Sequence, residues 1–310
     1  MIEAHGLVKS FGFRKTHLAV DGVSFSVEKG TRLGLLGAPG AGKTTLLRML
    51  GTTLRPDEGT LRLGDHDGIE RPVAARNLLG YMPEGMDLSG WETGEAFLRF
   101  WGRVSGLSGK ARSERIERVV EFLDLGEALT EPLAELTIEL QRRFVLAQAL
   151  LTDPDLLVLD EPMTGLSELE RRFLAGKLGE LGKEGKTIVV SSPMLEDVRA
   201  SSDRVAIMAE GRLTEIMKTD DLLSKIGDEK NARIFVDSDP LPSPVTQALK
   251  DLAGVVDVQP RITATILYVK PGTVSPDLIR QVLASHGVEV RGIREAELRL
   301  GDVFNSLHTI

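Results

Sequence analysis

The sequence predicts an α/β chain built on a buried, mostly parallel sheet, with a helical subdomain set into it and a small α+β domain after it. Three observations carry this expectation. Short apolar strands alternate with helical patterns through roughly the first two thirds of the chain. Two of those strands, LLVLD and TIVVSS, read as continuous runs, as in sheets covered on both faces. After residue 232 the order of strand and helix patterns changes.

Taken in order, His17–Gly30 (HLAVDGVSFSVEKG) alternates apolar and polar residues, as a strand does, and ends in a turn. Thr31–Leu36 is a strand running straight into a glycine-rich loop, and Thr44–Leu50 begins a helix. Leu78–Glu84 (LLGYMPE) is a short strand entering a loop. From Trp91 to about Leu150 apolar residues recur at three- and four-residue spacing, so the helical subdomain spans about 88–150. Leu156–Asp160 and Thr187–Ser192 are strands, and Arg204–Ile216 closes as a hairpin. The first domain is expected to cover 1–219, and the polar stretch 220–232 to be a linker. In 233–310, strands are expected at Arg233–Val236, Val255–Val258, Thr263–Val269 and Val288–Ile293, and helices at Ser243–Leu252, Pro276–His286 and Leu298–Leu307. The order β-α-β-β-α-β plus a helix suggests a ferredoxin-like domain.

Composition narrows the classes. Across 310 residues, hydrophobic side chains make up 42% and charged ones 27%, which permits a substantial core. A net charge of −8 argues against broad nucleic-acid binding. With no cysteine there is neither a disulfide nor a cysteine metal site, which fits a reducing compartment. The apolar runs are too short to cross a bilayer, and MIEAHGLVKSF lacks the apolar stretch of a secretory signal, so the expected location is cytoplasmic.

The chemistry concentrates in GLLGAPGAGKTTLLRML. Gly37, Gly42, Lys43 and Thr44 satisfy G-x-x-x-x-G-K-[ST], with a strand before and a helix after. Glycines let backbone N–H groups turn inward around a phosphate, and the helix N-terminus adds a favourable dipole. The candidate phosphate cradle is therefore Gly37, Ala38, Pro39, Gly40, Ala41, Gly42, Lys43, Thr44 and Thr45. Lys43 would reach the β- and γ-phosphates of ATP, and the Thr44 hydroxyl would bind Mg²⁺. LLVLDEP sets Asp160 and Glu161 at the end of a buried strand, beside that loop in a parallel sheet. Asp160 is placed to hold Mg²⁺ through water, and Glu161 to orient or deprotonate the attacking water.

Together these segments resemble an ABC transporter ATPase subunit over roughly the first two thirds of the chain. GLVKSFG resembles the start of such subunits, where an aromatic stacks on adenine, here Phe11. GYMPE sits where the family has its Q-loop, which makes Glu84 a metal-ligand candidate. LAQALLTDPDLLVLDEP matches the run into the family's Walker B carboxylates. No N-K-x-D base-reading motif of GTPases appears. The C-terminal part, with LRLGDVFNSL, is similar to the extension found in the drug-, lipid- and polymer-exporting branch, where its role would be regulatory or dimer-stabilising. The resemblance implies a P-loop NTPase fold of the ABC type, transmembrane permease partners, a second ATP-binding subunit in a homo- or heterodimer, and a peripheral position on the inner face of the membrane.

Several positions depart from the family. Its signature, usually Leu-Ser-Gly-Gly-Gln, aligns with Leu136, Thr137, Ile138, Glu139 and Leu140. In a two-subunit sandwich this segment faces the partner's nucleotide. A carboxylate about 5 Å from phosphate oxygens, at an effective dielectric of about 20, repels by several kcal/mol per unit charge. After the serine pair of TIVVSSP, Pro193 replaces a histidine that senses the γ-phosphate, and proline has no donor. Ser167 replaces the D-loop aspartate. The binding half is intact and the completing half altered. Two expectations stand: an ATP-binding transporter subunit with slow or conditional hydrolysis, or an ATP-dependent scaffold or regulator of a membrane complex that moves no solute. The aromatics Trp91, Phe97, Phe100 and Trp101 lie where such subunits receive a membrane partner.

Overall fold

The computed structural model describes residues 1–12, 17–222, 232–239, 241–260, 264–270, 273–288 and 290–296. The chain divides into two compact units, Met1–Thr219 and Asp220–Ile310.

The first unit opens with β1 (Ile2–Phe11) and β2 (His17–Val27), followed by β3 (Arg32–Leu36) and α1 (Lys43–Leu50). Then come β4 (Glu58–Leu63), β5 (His66–Asp67), α2 (Pro72–Arg76) and β6 (Leu79–Met82). Three helices follow, α3 (Gly94–Val104), α4 (Gly109–Phe122) and α5 (Ile138–Leu150). The unit continues with β7 (Leu156–Leu159), α6 (Glu168–Lys183), β8 (Thr187–Ser192) and α7 (Leu195–Ser201), and ends on the hairpin β9 (Arg204–Ala209) and β10 (Arg212–Lys218).

Two sheets result. One is antiparallel, in the order β2-β1-β4-β5. The other has six strands in the order β10-β9-β3-β8-β7-β6, parallel except at the β9–β10 hairpin. The central strands are buried on both faces because both faces are covered. Leu156 and Val158 pack with α1 and the antiparallel sheet. Their neighbours Leu157 and Leu159 point the opposite way, into a core shared with α3, α5 and α6. A strand's two-residue period thus feeds two separate cores from one apolar run.

The helical subdomain is held by aromatics. Phe97 and Phe144 are fully buried. Trp91 meets Phe97 edge-on at 5.2 Å between ring centroids, and Phe100 meets Trp101 edge-on at 5.6 Å. These geometries suit the ring quadrupoles. Thr93 caps α3 by accepting from the Ala96 N–H at 3.1 Å.

The second unit contains β11 (Ala232–Asp237), α8 (Ser243–Lys250), β12 (Val255–Pro260), β13 (Thr265–Val269), α9 (Pro276–Ser285) and β14 (Gly292–Ala296). Its sheet runs β12-β13-β11-β14 with all pairs antiparallel. That is the split βαβ arrangement of ferredoxin-like domains. Ile234, Leu249, Leu267, Ile279 and Leu283 fill its core.

One expected strand is displaced. The pattern from Val288 to Ile293 predicts a strand, but β14 starts at Gly292. The reason is local. Gly287 adopts φ 70° and the Val288 N–H returns to the Leu283 carbonyl at 3.0 Å, so Val288 closes α9. Val288 and Val290 still pack on the core, which is what made them read as a strand. The helix expected at Leu298–Leu307 lies outside the described residues, as do residues 223–231 of the expected linker.

Candidate nucleotide site

The site forms where β3 and β7 end. β3 delivers the chain into the glycine loop, and α1 begins at Lys43. Gly42 takes φ 101°, and a Cβ there would stand 2.2 Å from the Ala19 carbonyl oxygen. No side chain fits, so the loop lies directly against β2. A Cβ on Gly37 would meet the Met208 carbonyl oxygen at 2.6 Å, which presses the loop's other end against β9. The Ala41 carbonyl accepts from the Gly211 N–H at 3.0 Å and ties the loop to the turn after β9.

Lys43 folds back along the loop. Its ammonium donates to the carbonyls of Gly37 at 2.8 Å and Ala38 at 3.2 Å, and pairs with Glu161 at 3.2 Å. The lysine is buried, so its charge is neutralised inside the site.

Asp160 is fully buried at the end of β7. Its Oδ1 accepts from the Ser191 hydroxyl at 2.8 Å and from the Thr44 hydroxyl at 3.3 Å. Thr44 also stands 3.5 Å from Glu84 Oε2. Burial raises the Asp160 carboxyl above its ordinary value, the neighbouring charges of Glu84 and Glu161 add to this, and the two hydroxyl hydrogen bonds oppose it. Among the described residues, Asp160 Oδ2 is buried and has no hydrogen-bond partner. An unpartnered buried carboxylate oxygen, with the Thr44 hydroxyl between the Asp160 and Glu84 carboxylates, gives a donor set that suits a hard divalent cation such as Mg²⁺. Among the described residues, no group of three or more His, Cys, Asp or Glu side chains could hold a metal by itself. The protein therefore supplies part of such a shell, the rest falling to phosphate oxygens and water.

Glu161 adopts φ 48°, a left-handed conformation that costs a non-glycine residue about 1–2 kcal/mol. The surroundings impose it. Its N–H donates to the Ser191 hydroxyl at 2.9 Å, and its Oε2 accepts from Thr164 at 3.0 Å. Ser191 thus bridges the two carboxylate residues. It sits within TIVVSS, yet its role is not legible from that run.

Phe11 ends β1 opposite His17, two residues before the Ala19 that touches the loop. Phe11 is 41% exposed. Lys9 lies 5.9 Å from the ring centroid.

The departing positions are also placed. Thr137 is the N-cap of α5, and its hydroxyl accepts from the Leu140 N–H at 3.4 Å. Ile138 is exposed and Glu139 half-buried in the first turn. Ser167 caps α6. Beside Pro193, Ser192 donates to Asp197 at 2.7 Å and accepts from the Met194 N–H at 3.0 Å. Asp197 is paired with Arg171 at 2.8 Å.

A second residue not singled out from the sequence is Arg142. It donates to the Glu84 carbonyl oxygen. Burial lowers its affinity for its proton, and the charges of Glu84, Glu161 and Asp160 raise it. In the sequence it is one of two adjacent arginines after the signature position, with nothing local to mark it.

A family model described as ABC transporter matches residues 20–164. The chain is 30% identical over 303 residues to the daunorubicin resistance ATP-binding protein DrrA3 of Streptomyces coeruleorubidus, covering 97% of this chain and 90% of the relative. It is 30% identical over 258 residues to the linearmycin resistance ATP-binding protein LnrL of Bacillus subtilis, covering 83% of this chain and 81% of that one. It is 37% identical over 211 residues to the Nod factor export ATP-binding protein I of Burkholderia lata, covering 68% of each. Among solved structures, a dimeric ATP-binding cassette in a post-hydrolysis state with ADP and phosphate superposes with a TM-score of 0.65 at 20% identity, over 71% of this chain and 99% of that one. The fold is that of ABC ATPase cassettes, and the chain belongs to the ATP-binding proteins of the ABC transporter family. Among the described residues no helix is long and apolar enough to cross a membrane.

Proposed function

We propose that this chain is the ATP-binding subunit of a membrane export complex whose hydrolysis is slow or conditional. The carrying observation is the convergence of Thr44, Asp160 and Glu84, with one Asp160 oxygen left unpartnered among the described residues, beside the Lys43 loop. In this reading the backbone of Gly37–Thr45 cradles the phosphates of ATP, and Phe11 stacks on the base. Thr44, Asp160 and Glu84 would hold Mg²⁺, which would supply neutralisation of charge on phosphate oxygens. Lys43 exchanges its bond to Glu161 for a phosphate oxygen, which frees Glu161 to orient or deprotonate the attacking water.

Export is supported by relatives named for drug resistance and Nod factor export. Slow turnover is supported by Ile138, Glu139 and Pro193. The first two remove the close backbone approach that glycines allow, and the third removes a donor. The complex would comprise transmembrane permease subunits and a second ATP-binding subunit, with this chain on the cytoplasmic face. Residues 1–219 would form the nucleotide domain, and 233–310 a regulatory or dimer-stabilising one.

The test is nucleotide binding and steady-state ATPase of the purified complex. Lys43→Ala is expected to abolish binding, and wild-type turnover to fall below about 1 s⁻¹. No affinity for ATP in the unaltered protein would end the reading. Turnover of about 1–10 s⁻¹ that Glu161→Gln abolishes would remove the slow-hydrolysis part. The same altered positions favour one alternative, an ATP-dependent scaffold that moves no solute. Partner chains lacking any transmembrane pathway would select it.

A further inference from the structure

The nucleotide site holds three carboxylates, Glu84, Asp160 and Glu161, against one lysine already engaged with Glu161. A second cation that feels all three charges is Arg142, on the second turn of α5. Its guanidinium reaches across 58 positions of sequence to the backbone oxygen of Glu84. Its Nε is buried and, among the described residues, has no hydrogen-bond partner. Its neighbour Arg143 faces another way, gripping Glu170 through two bonds of 2.6 and 2.7 Å and lying 3.9 Å from the Phe173 ring centroid. The two adjacent arginines therefore do separate work. Arg143 fastens α5 to α6, and Arg142 fastens α5 to the loop after β6.

We propose that Arg142 is a positioning residue for the ATP site: it tethers the loop bearing Glu84 beside Thr44 and offsets the charge of the clustered carboxylates. The inference rests on the ATP-binding reading above. Its physical basis is twofold. A charge-assisted bond from a guanidinium to a carbonyl fixes the loop more firmly than a neutral bond does. A cation near three carboxylates also lessens their repulsion of a bound triphosphate. Thr137 caps α5, Ile138 and Glu139 begin it and Arg142 lies one turn on, so the helix that starts at 137–139 is bonded to the Glu84 backbone.

The experiment uses the full chain with Arg142→Gln, Arg142→Lys, Glu84→Gln and the double variant Arg142→Gln/Glu84→Gln. A fluorescent ATP analogue is titrated in the presence of magnesium, and amide exchange is followed over residues 83–88. Arg142→Gln is expected to weaken binding about tenfold, the size of a lost charge-assisted bond, and to speed exchange over 83–88. In the Glu84→Gln background the same change should cost less than about threefold, because one carboxylate is already neutral. Arg142→Lys keeps the charge without the planar fork, so binding should stay within about threefold while exchange still rises. Unchanged binding and exchange in Arg142→Gln, or an equal loss in both backgrounds, overturns the proposal. Should Arg142→Gln fail to fold, Arg142→Lys decides alone, and unchanged exchange over 83–88 in it overturns the tether. Wild-type protein that binds no nucleotide would instead refute the ATP-binding reading itself.

Discussion

At the residue scale, the site is held by short polar contacts from residues distant in sequence. Ser191 and Arg142 show this around the carboxylate residues, and Asp57 shows it at the end of β1. Asp57 accepts from the Ser10 N–H at 2.9 Å, the Ser10 hydroxyl at 2.9 Å and Lys9 at 3.1 Å. These bonds pin the end of β1 just before Phe11. The Ser10 N–H is the main cause that holds the Asp57 carboxyl well below the usual carboxylate range, with the Ser10 hydroxyl and Lys9 adding to it. A carboxyl depressed in the folded state stabilises above its ordinary value and loses that contribution as pH falls through the folded one. The melting temperature of the wild type should therefore exceed that of Asp57→Asn near about pH 6, with the gap narrowing toward about pH 3. Calorimetric scans of both proteins across that range measure it, and a constant gap would contradict the assignment.

At the element scale, α5 joins the helical subdomain to the sheet. Phe144 is its anchor, fully buried against the backbone of α3, where a Cβ on Gly94 would stand 2.3 Å from the ring. Truncating it leaves a cavity beside rigid backbone that cannot collapse to fill it. Phe144→Ala should cost about 3–5 kcal/mol in urea unfolding, and a loss under about 1 kcal/mol would show that the subdomain repacks. This scale also shows what was readable in advance. β7 and β8 announce themselves because strands covered on both faces carry unbroken apolar runs. The phosphate loop does so because its chemistry is contiguous in sequence. β1 and β4 do not, since bulges and half-exposed positions interrupt their alternation. The Asp160–Ser191 and Arg142–Glu84 contacts join segments 31 and 58 positions apart, and pattern within a window carries no trace of them.

At the scale of the whole molecule, the first unit presents an ATP-binding half-site, and the proposed reading requires a facing chain to complete it. Ile138 and Glu139 occupy the first turn of α5, and in the proposed reading their side chains stand between its backbone N–H groups and a facing phosphate. Replacing Ile138 and Glu139 by glycine and Pro193 by histidine, together, should raise turnover of the assembled complex by about tenfold or more, as restored phosphate donors do. Phosphate release by that complex, compared with wild type at saturating ATP, checks this. Unchanged turnover would place the slow step outside these three positions.

Ser191, on β8, holds the Asp160 carboxylate and the Glu161 backbone N–H, and Pro193 follows directly on the last residue of that strand. The Asp160 carboxylate and the Glu161 backbone therefore share one mount. Any nudge transmitted along β8 from the proline turn would reach the Asp160 carboxylate and the backbone of Glu161 at once.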